Sequence, residues 1–271
     1  MKFDSNLAWR QATAAISANR DVLVALAGVF FLVPSLAFSL FFPQPEPTAG
    51  MKEEQMLAMM SAYYTSALPF LLPIALLQAG GSLAVLTLFT DRNRPTVGEA
   101  IRTGFLGVLA YIAAQMILGM GLALALGVLL AIGSLTGTPA IAAIFVVAAI
   151  MLAVWIAIRT SLVAPIVAVE RQRNPVAALV RSWALTRGNG GRIGVFYALV
   201  IVAFVVVMIL VMAVVGIVLA LVSGGEVARV VAAVVSSILG AAMTLYLVAI
   251  LAAAHRQLAG PSAEAIGAAF D

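Results

Sequence analysis

Six long apolar stretches separated by short polar segments organise this chain. They run Val22–Phe42, about Pro69–Thr90, about Phe105–Ile132, about Ala140–Ala164, about Ile193–Val222 and about Val227–Ala254. Each is long enough to carry a helix across the hydrocarbon core of a bilayer, which takes roughly 18–20 apolar residues. Before the first stretch the pattern is amphipathic instead. Asp4, Ser5 or Asn6 can cap a helix in which Trp9, Ala12 and Ile16 share one face and Arg10, Gln11 and Ser17 lie elsewhere. That spacing predicts a helix lying in the membrane interface. After the first stretch, "PQPEPTAG" reads as a turn-rich linker. Met56, Met59, Met60, Tyr63 and Tyr64 then recur at helical spacing, predicting an outer interfacial helix with its tyrosines at headgroup depth. Thioethers suit Cu(I), but a helical face needs the same spacing and no Cys or His joins these methionines, so no metal or other cofactor is assigned.

Composition excludes a water-soluble domain. The chain is 64% hydrophobic and 10% charged, against about 25% charged in soluble proteins. The fold class expected is all-α integral membrane, with six transmembrane helices in one domain. Residues 1–68 form a first unit with its outer interfacial segment, 69–139 and 140–254 the cores of two further units, and 255–271 a cytoplasmic tail. Cysteine is absent, which removes disulfides, thiolate metal sites and a cysteine nucleophile. The single histidine, His255, closes the sixth span beside Arg256 and reads as an interfacial residue.

Charge fixes the orientation. With six spans, twelve Lys and Arg residues fall on the side that holds both chain termini, and only Lys52 and Arg229 on the other. By the positive-inside rule both termini are cytoplasmic. The net charge of +4 therefore reflects topology and does not call for nucleic acid.

Two of the basic segments resemble each other. "DRNRPTVGEAIRTG" from Asp91 and "ERQRNPVAALVRSW" from Glu170 align without gaps at an offset of 79 residues. Arg92 matches Arg171, Arg94 matches Arg173, Arg102 matches Arg181 and Thr103 matches Ser182. Thr96 with Glu99 fits a capping box, and Asn174 followed by Pro175 fits an N-cap with proline in the first turn. Each segment predicts a short elbow helix on the cytoplasmic surface ahead of a span. The N-terminal amphipathic helix occupies the same place ahead of span one. The expectation is three parallel units, each an elbow helix plus a hairpin of two spans.

The run Ala178-Leu179-Val180-Arg181-Ser182-Trp183-Ala184-Leu185-Thr186-Arg187-Gly188-Asn189, with Glu170 ahead of it and Arg159 in span four, resembles a known family. It is similar to the bacterial membrane-domain family named after glycerophosphoryl diester phosphodiesterases, and to related six-span inner-membrane proteins. The resemblance covers most of the chain, with this stretch as its diagnostic motif. It implies a multi-pass protein of the bacterial inner membrane. It does not bring the phosphodiesterase activity, because the chain lacks the soluble barrel and the His and acidic constellation that activity needs.

The candidate sites are few. Arg159 is a charge inside a span, and such charges face a partner or a wet cavity, or snorkel to the interface. Gln78, Gln115, Ser161 and Tyr246 are polar groups in or near other span interiors. With Arg159 they are the candidate lining of a polar cavity or anion contact. Arg92, Arg94, Arg102, Arg171, Arg173, Arg181 and Arg187 are candidate contacts for anionic headgroups. Six glycines between Gly104 and Gly133 mark span three as tightly packed or pliable. No nucleophile–base or carboxylate pair falls within the spans. The expected function is thus non-enzymatic: a lipid-interacting or partner-organising membrane module, its partners anionic lipids and a second protein or copy of itself. The alternative is a transporter or channel-like protein with a cavity around Arg159 and Gln78.

Overall fold

The computed structural model describes residues 2–45, 48, 50–90, 95–222 and 225–260. In chain order the helices are α1 (Ser5–Ala18), α2 (Arg20–Ala27), a π-helical turn (Gly28–Leu32), α3 (Val33–Phe41), α4 (Glu53–Thr90), α5 (Val97–Leu135), α6 (Pro139–Thr160), α7 (Val163–Val169), α8 (Pro175–Leu185), α9 (Gly190–Val222) and α10 (Glu226–Ala259). Among the described residues there is no strand. Six helical stretches are long and apolar enough to cross a membrane: Arg20–Phe41, Glu53–Phe89, Val97–Leu135, Pro139–Val169, Gly190–Leu221 and Glu226–Ala259. The protein is an all-helical, multi-pass membrane protein.

Several boundaries differ from the sequence pattern, each for a physical reason. The first span carries a π turn just before Pro34. A proline ring clashes with the carbonyl four residues back, and the wider turn gives it room. Span two starts at Glu53, because the methionine–tyrosine segment runs unbroken into it through Pro69 and Pro73. The predicted outer interfacial helix is therefore the first part of α4. Span four is broken at Ser161–Leu162, and α7 continues as a separate, almost wholly buried helix.

The two elbow segments also part company. Asn174 caps α8 by accepting from the Val176 and Ala177 N–H groups, and Gly188 at φ +80° turns the chain into α9. In the earlier segment the Thr96–Glu99 capping box forms, but the helix it starts is α5 itself. Nothing between Val97 and Gly107 stops that helix, so no separate elbow stands there. Arg92 and Arg94 lie outside the described residues.

Packing is concentrated at one end of the bundle. α7 is its hub, touching α4, α5, α8 and α10. Val163, Ile166 and Val167 are fully buried there, with Leu83 and Leu86 of α4, Ile193 of α9 and Ile250 of α10 around them. Long-range bonds draw the same end together. The Phe3 N–H donates to Asn189 Oδ1 at 2.9 Å, and Asp4 and Gln257 exchange two bonds at 3.0 and 3.2 Å. At the opposite end Tyr63 donates to the Phe42 carbonyl and Arg229 to that of Leu40.

α4 and α5 cross through small residues. A methyl group on Gly104 would stand 2.6 Å from the Ala84 nitrogen and 2.9 Å from the Gly80 oxygen. Only glycine admits that approach of two backbones. Beyond Gln115 the α5–α6 hairpin and the far half of α9 expose apolar side chains on most sides.

Candidate functional site

The intramembrane charge sits where three helices meet. Arg159 lies in the last turn of α6, and Trp155 precedes it by one turn on the same face. α8 brings Trp183 against them. The two indoles meet edge to face, with centroids 4.8 Å apart at 89°. The Arg159 guanidinium carbon lies 5.6 Å from each ring centroid, within range of a cation–π attraction that orients the charge without neutralising it.

Buried hydroxyls fasten α8 to the end of α6. Ser182 donates to the Arg159 carbonyl at 2.9 Å and accepts from the Leu162 N–H at 3.2 Å. Thr186 also reaches the Arg159 carbonyl, at 3.3 Å. Both residues are fully buried. They satisfy backbone groups that the break after α6 would leave without partners. The motif positions Ser182 and Thr186 thus set the position of Trp183.

The guanidinium itself is not satisfied. Nε and Nη1 are buried and have no hydrogen-bond partner, which leaves Nη2 as the accessible nitrogen. Among the described residues no carboxylate lies within ion-pair distance of Arg159. Gly190, where α9 begins, lies beside it: a methyl group there would stand 3.9 Å from the guanidinium carbon. A positive charge therefore sits next to the positive end of a helix dipole.

A second cluster lies at the end of α7. Glu170 Oε1 accepts from His255 Nε2 at 3.0 Å and Oε2 from Arg181 Nε at 3.1 Å. His255 is 3% exposed and forms a buried tie between α10 and the end of α7. The bond from His255 holds the Glu170 carboxyl below the usual carboxylate range; burial opposes it and Arg181 adds to it. Arg181 is therefore engaged by Glu170, where the sequence offered it to headgroups.

The other candidates have separate partners. Gln78 donates to Ser35 Oγ at 3.1 Å, linking α4 to α3. Gln115 donates to the Tyr111 hydroxyl one turn back on its own helix. Ser161 turns to the Ile158 carbonyl. Tyr246 stacks on Trp9 of α1 and packs on Phe204. The contacts do not bring these five residues together around one cavity. Arg102, Arg171, Arg173 and Arg187 are exposed at the packed end of the bundle. Arg173 leans over Gly107, whose added methyl would meet its Nη1 at 2.6 Å.

Sequence reasoning missed the Glu170–His255 pair and the double indole. The first had a signal, an acid and the chain's single histidine at the same end of the spans. The second had half of one, the i, i+4 spacing of Trp155 and Arg159. Among the described residues no group of three His, Asp or Glu side chains is placed to hold a metal ion. No protein-family model, curated protein or solved structure matches the chain.

Proposed function

We propose that this is a non-enzymatic inner-membrane protein that binds anionic lipid headgroups at its basic, cytoplasmic end. The observation that carries the reading is Arg159. Its guanidinium is fixed between two indoles, has no carboxylate partner among the described residues, and keeps one nitrogen accessible. An unpaired charge at membrane depth is costly, and a lipid phosphate at Nη2 supplies the missing counter-charge with a charge-assisted hydrogen bond. The exposed Arg102, Arg171, Arg173 and Arg187 strengthen the field at the same end, each adding about 1 kcal/mol of attraction near an anionic leaflet.

In this reading α1 and α8 are interfacial helices at headgroup level, each ahead of a hairpin of two spans. Their outward Trp9 and Trp183 suit that depth. The chain is then a relative of the membrane-domain family that its Ala178–Asn189 motif resembles.

Native mass spectrometry from mild detergent tests the proposal. The wild-type protein should retain phosphatidylglycerol or cardiolipin in preference to phosphatidylethanolamine. Arg159→Gln should lose that preference, while Arg229→Gln at the far end keeps it. Equal lipid retention by wild type and Arg159→Gln would sink the reading.

A further inference from the structure

On the side of α9 turned away from Arg159, a groove of about 450 Å³ opens between α1 and α9. Ser5, Asn6 and Trp9 form one wall, and α9 forms the other with a row that includes Phe196, Leu199, Ala203 and Val207. Its base is aromatic: Phe196 packs on Phe3 at 5.6 Å, and Tyr246 lies between Trp9 at 6.0 Å and Phe204 at 5.8 Å. These contacts hold α1 off α9 at a fixed separation.

Polarity is graded along this groove. At its mouth the Ser5 and Asn6 side chains have no hydrogen-bond partner among the described residues. The exposed Arg192 stands one turn before Phe196, and positions 192, 196, 199 and 203 follow helical spacing along one side of α9. From Phe196 to Val207 the α9 wall is hydrocarbon for about 16 Å, at 1.5 Å per residue. A cationic, hydrogen-bonding mouth above an apolar trough complements an anionic amphiphile.

We infer that the α1–α9 groove holds one acyl chain of an anionic phospholipid, whose phosphate is bound at the mouth by Arg192, Ser5 and Asn6. The inference deepens the lipid-binding reading above, but it uses the opposite side of α9 and none of the Arg159 contacts. α1 is then a clamp over a single lipid.

The test uses the full chain in nanodiscs with phosphatidylglycerol carrying a diazirine in its acyl chain, followed by peptide mapping of the photo-adducts. Adducts should concentrate on Trp9, Leu199, Ala203 and Val207. They should exceed several-fold those at Val202 and Val205, which are also exposed but lie on other sides of α9. Ala203→Trp, or Val207→Trp if the first does not fold, should fill the trough and abolish the excess. Arg192→Gln should lower labelling to the level of a phosphatidylcholine probe. Even labelling around α9 means a passing lipid annulus and overturns the site. So does labelling that neither tryptophan changes, or that Arg192→Gln leaves as selective as before. Arg159→Gln should leave the groove adducts intact, so failure of one site is distinguishable from failure of the other.

Discussion

Replacing Glu170 by alanine separates the two bonds that its carboxylate makes. The arms differ in environment: His255 is 3% exposed, whereas the Arg181 side chain is 45% exposed. A hydrogen bond to a charged group contributes about 1.5–3 kcal/mol, and a buried donor left without its acceptor costs about 1–3 kcal/mol. An exposed ion pair contributes about 0–1 kcal/mol, since solvent screens it. Glu170→Ala should therefore destabilise the fold by about 2–4 kcal/mol, most of it through His255, and Arg181→Ala by less than about 1 kcal/mol. Equilibrium unfolding with dodecyl sulfate in mixed micelles, followed by circular dichroism, measures both. Equal costs for the two variants would refute the assignment of the larger share to the buried arm.

The same carboxylate predicts a pH dependence. Its pKa is lowered in the fold, so its stabilisation is present above the ordinary glutamate value of about 4.3. It is lost as pH falls through the lowered value. Glu170→Gln mimics the protonated side chain. The stability gap between wild type and Glu170→Gln should be constant above about pH 5 and close in stronger acid. A gap that widened on acidification would reverse the sign of the argument.

Four further substitutions probe the packing. Gly104→Ala places a methyl against the α4 backbone, which cannot move aside as a side chain can, and should cost about 1–3 kcal/mol. Gly119→Ala meets nothing within 4 Å and should be neutral or stabilising by up to about 1 kcal/mol; dodecyl sulfate unfolding ranks the pair. Ser182→Ala strips the acceptor from the buried Leu162 N–H and should cost about 1–3 kcal/mol. Accelerated hydrogen exchange at the α6–α7 break would accompany that loss. Gln78→Leu removes one bond between helices and should cost only about 0.6 kcal/mol, with lipid retention unchanged; altered retention would return Gln78 to the candidate site.

The spans were legible because twenty apolar residues in a row have few alternatives, and the six segments fall close to where hydropathy placed them. What hydropathy could not separate was a span from the helix leading into it. Thr96 and Glu99 announce a helix start, and they make one, but a capping box says nothing about where the helix ends. The glycines of span three show the same limit. Gly104 and Gly107 meet neighbours, while Gly119, Gly121 and Gly127 face open space, and nothing local in the sequence tells them apart. The candidate site was legible one residue at a time. Arg159 was conspicuous as a charge in an apolar run, but its indole partner Trp183 comes from another helix, through two hydroxyls whose role appears only in three dimensions.

α8 shows how a short helix in this fold distributes its large and small residues. Val176, Val180 and Trp183 point outward, and Ala178, Ser182 and Thr186 point in. α1 repeats the pattern, with Ala8 and Ala12 fully buried and Leu7 and Trp9 exposed. In water such a pattern would be unstable, because burying large apolar groups drives packing there. In lipid that drive vanishes between helices, and close approach with satisfied polar groups takes its place. Small and hydroxyl residues therefore line the contacts, and large residues point outward. By the same reasoning, a buried group left unsatisfied in this fold needs a specific cause. Ser182 and Thr186 are fully bonded, Gln78 has Ser35, and His255 Nε2 has Glu170. Arg159 departs from that rule with two buried nitrogens unpartnered, as Gln11 Oε1, the Tyr197 hydroxyl and His255 Nδ1 do with one atom each; Arg159 alone among them is a permanent charge, which is why it is the one for which we propose a lipid phosphate as partner.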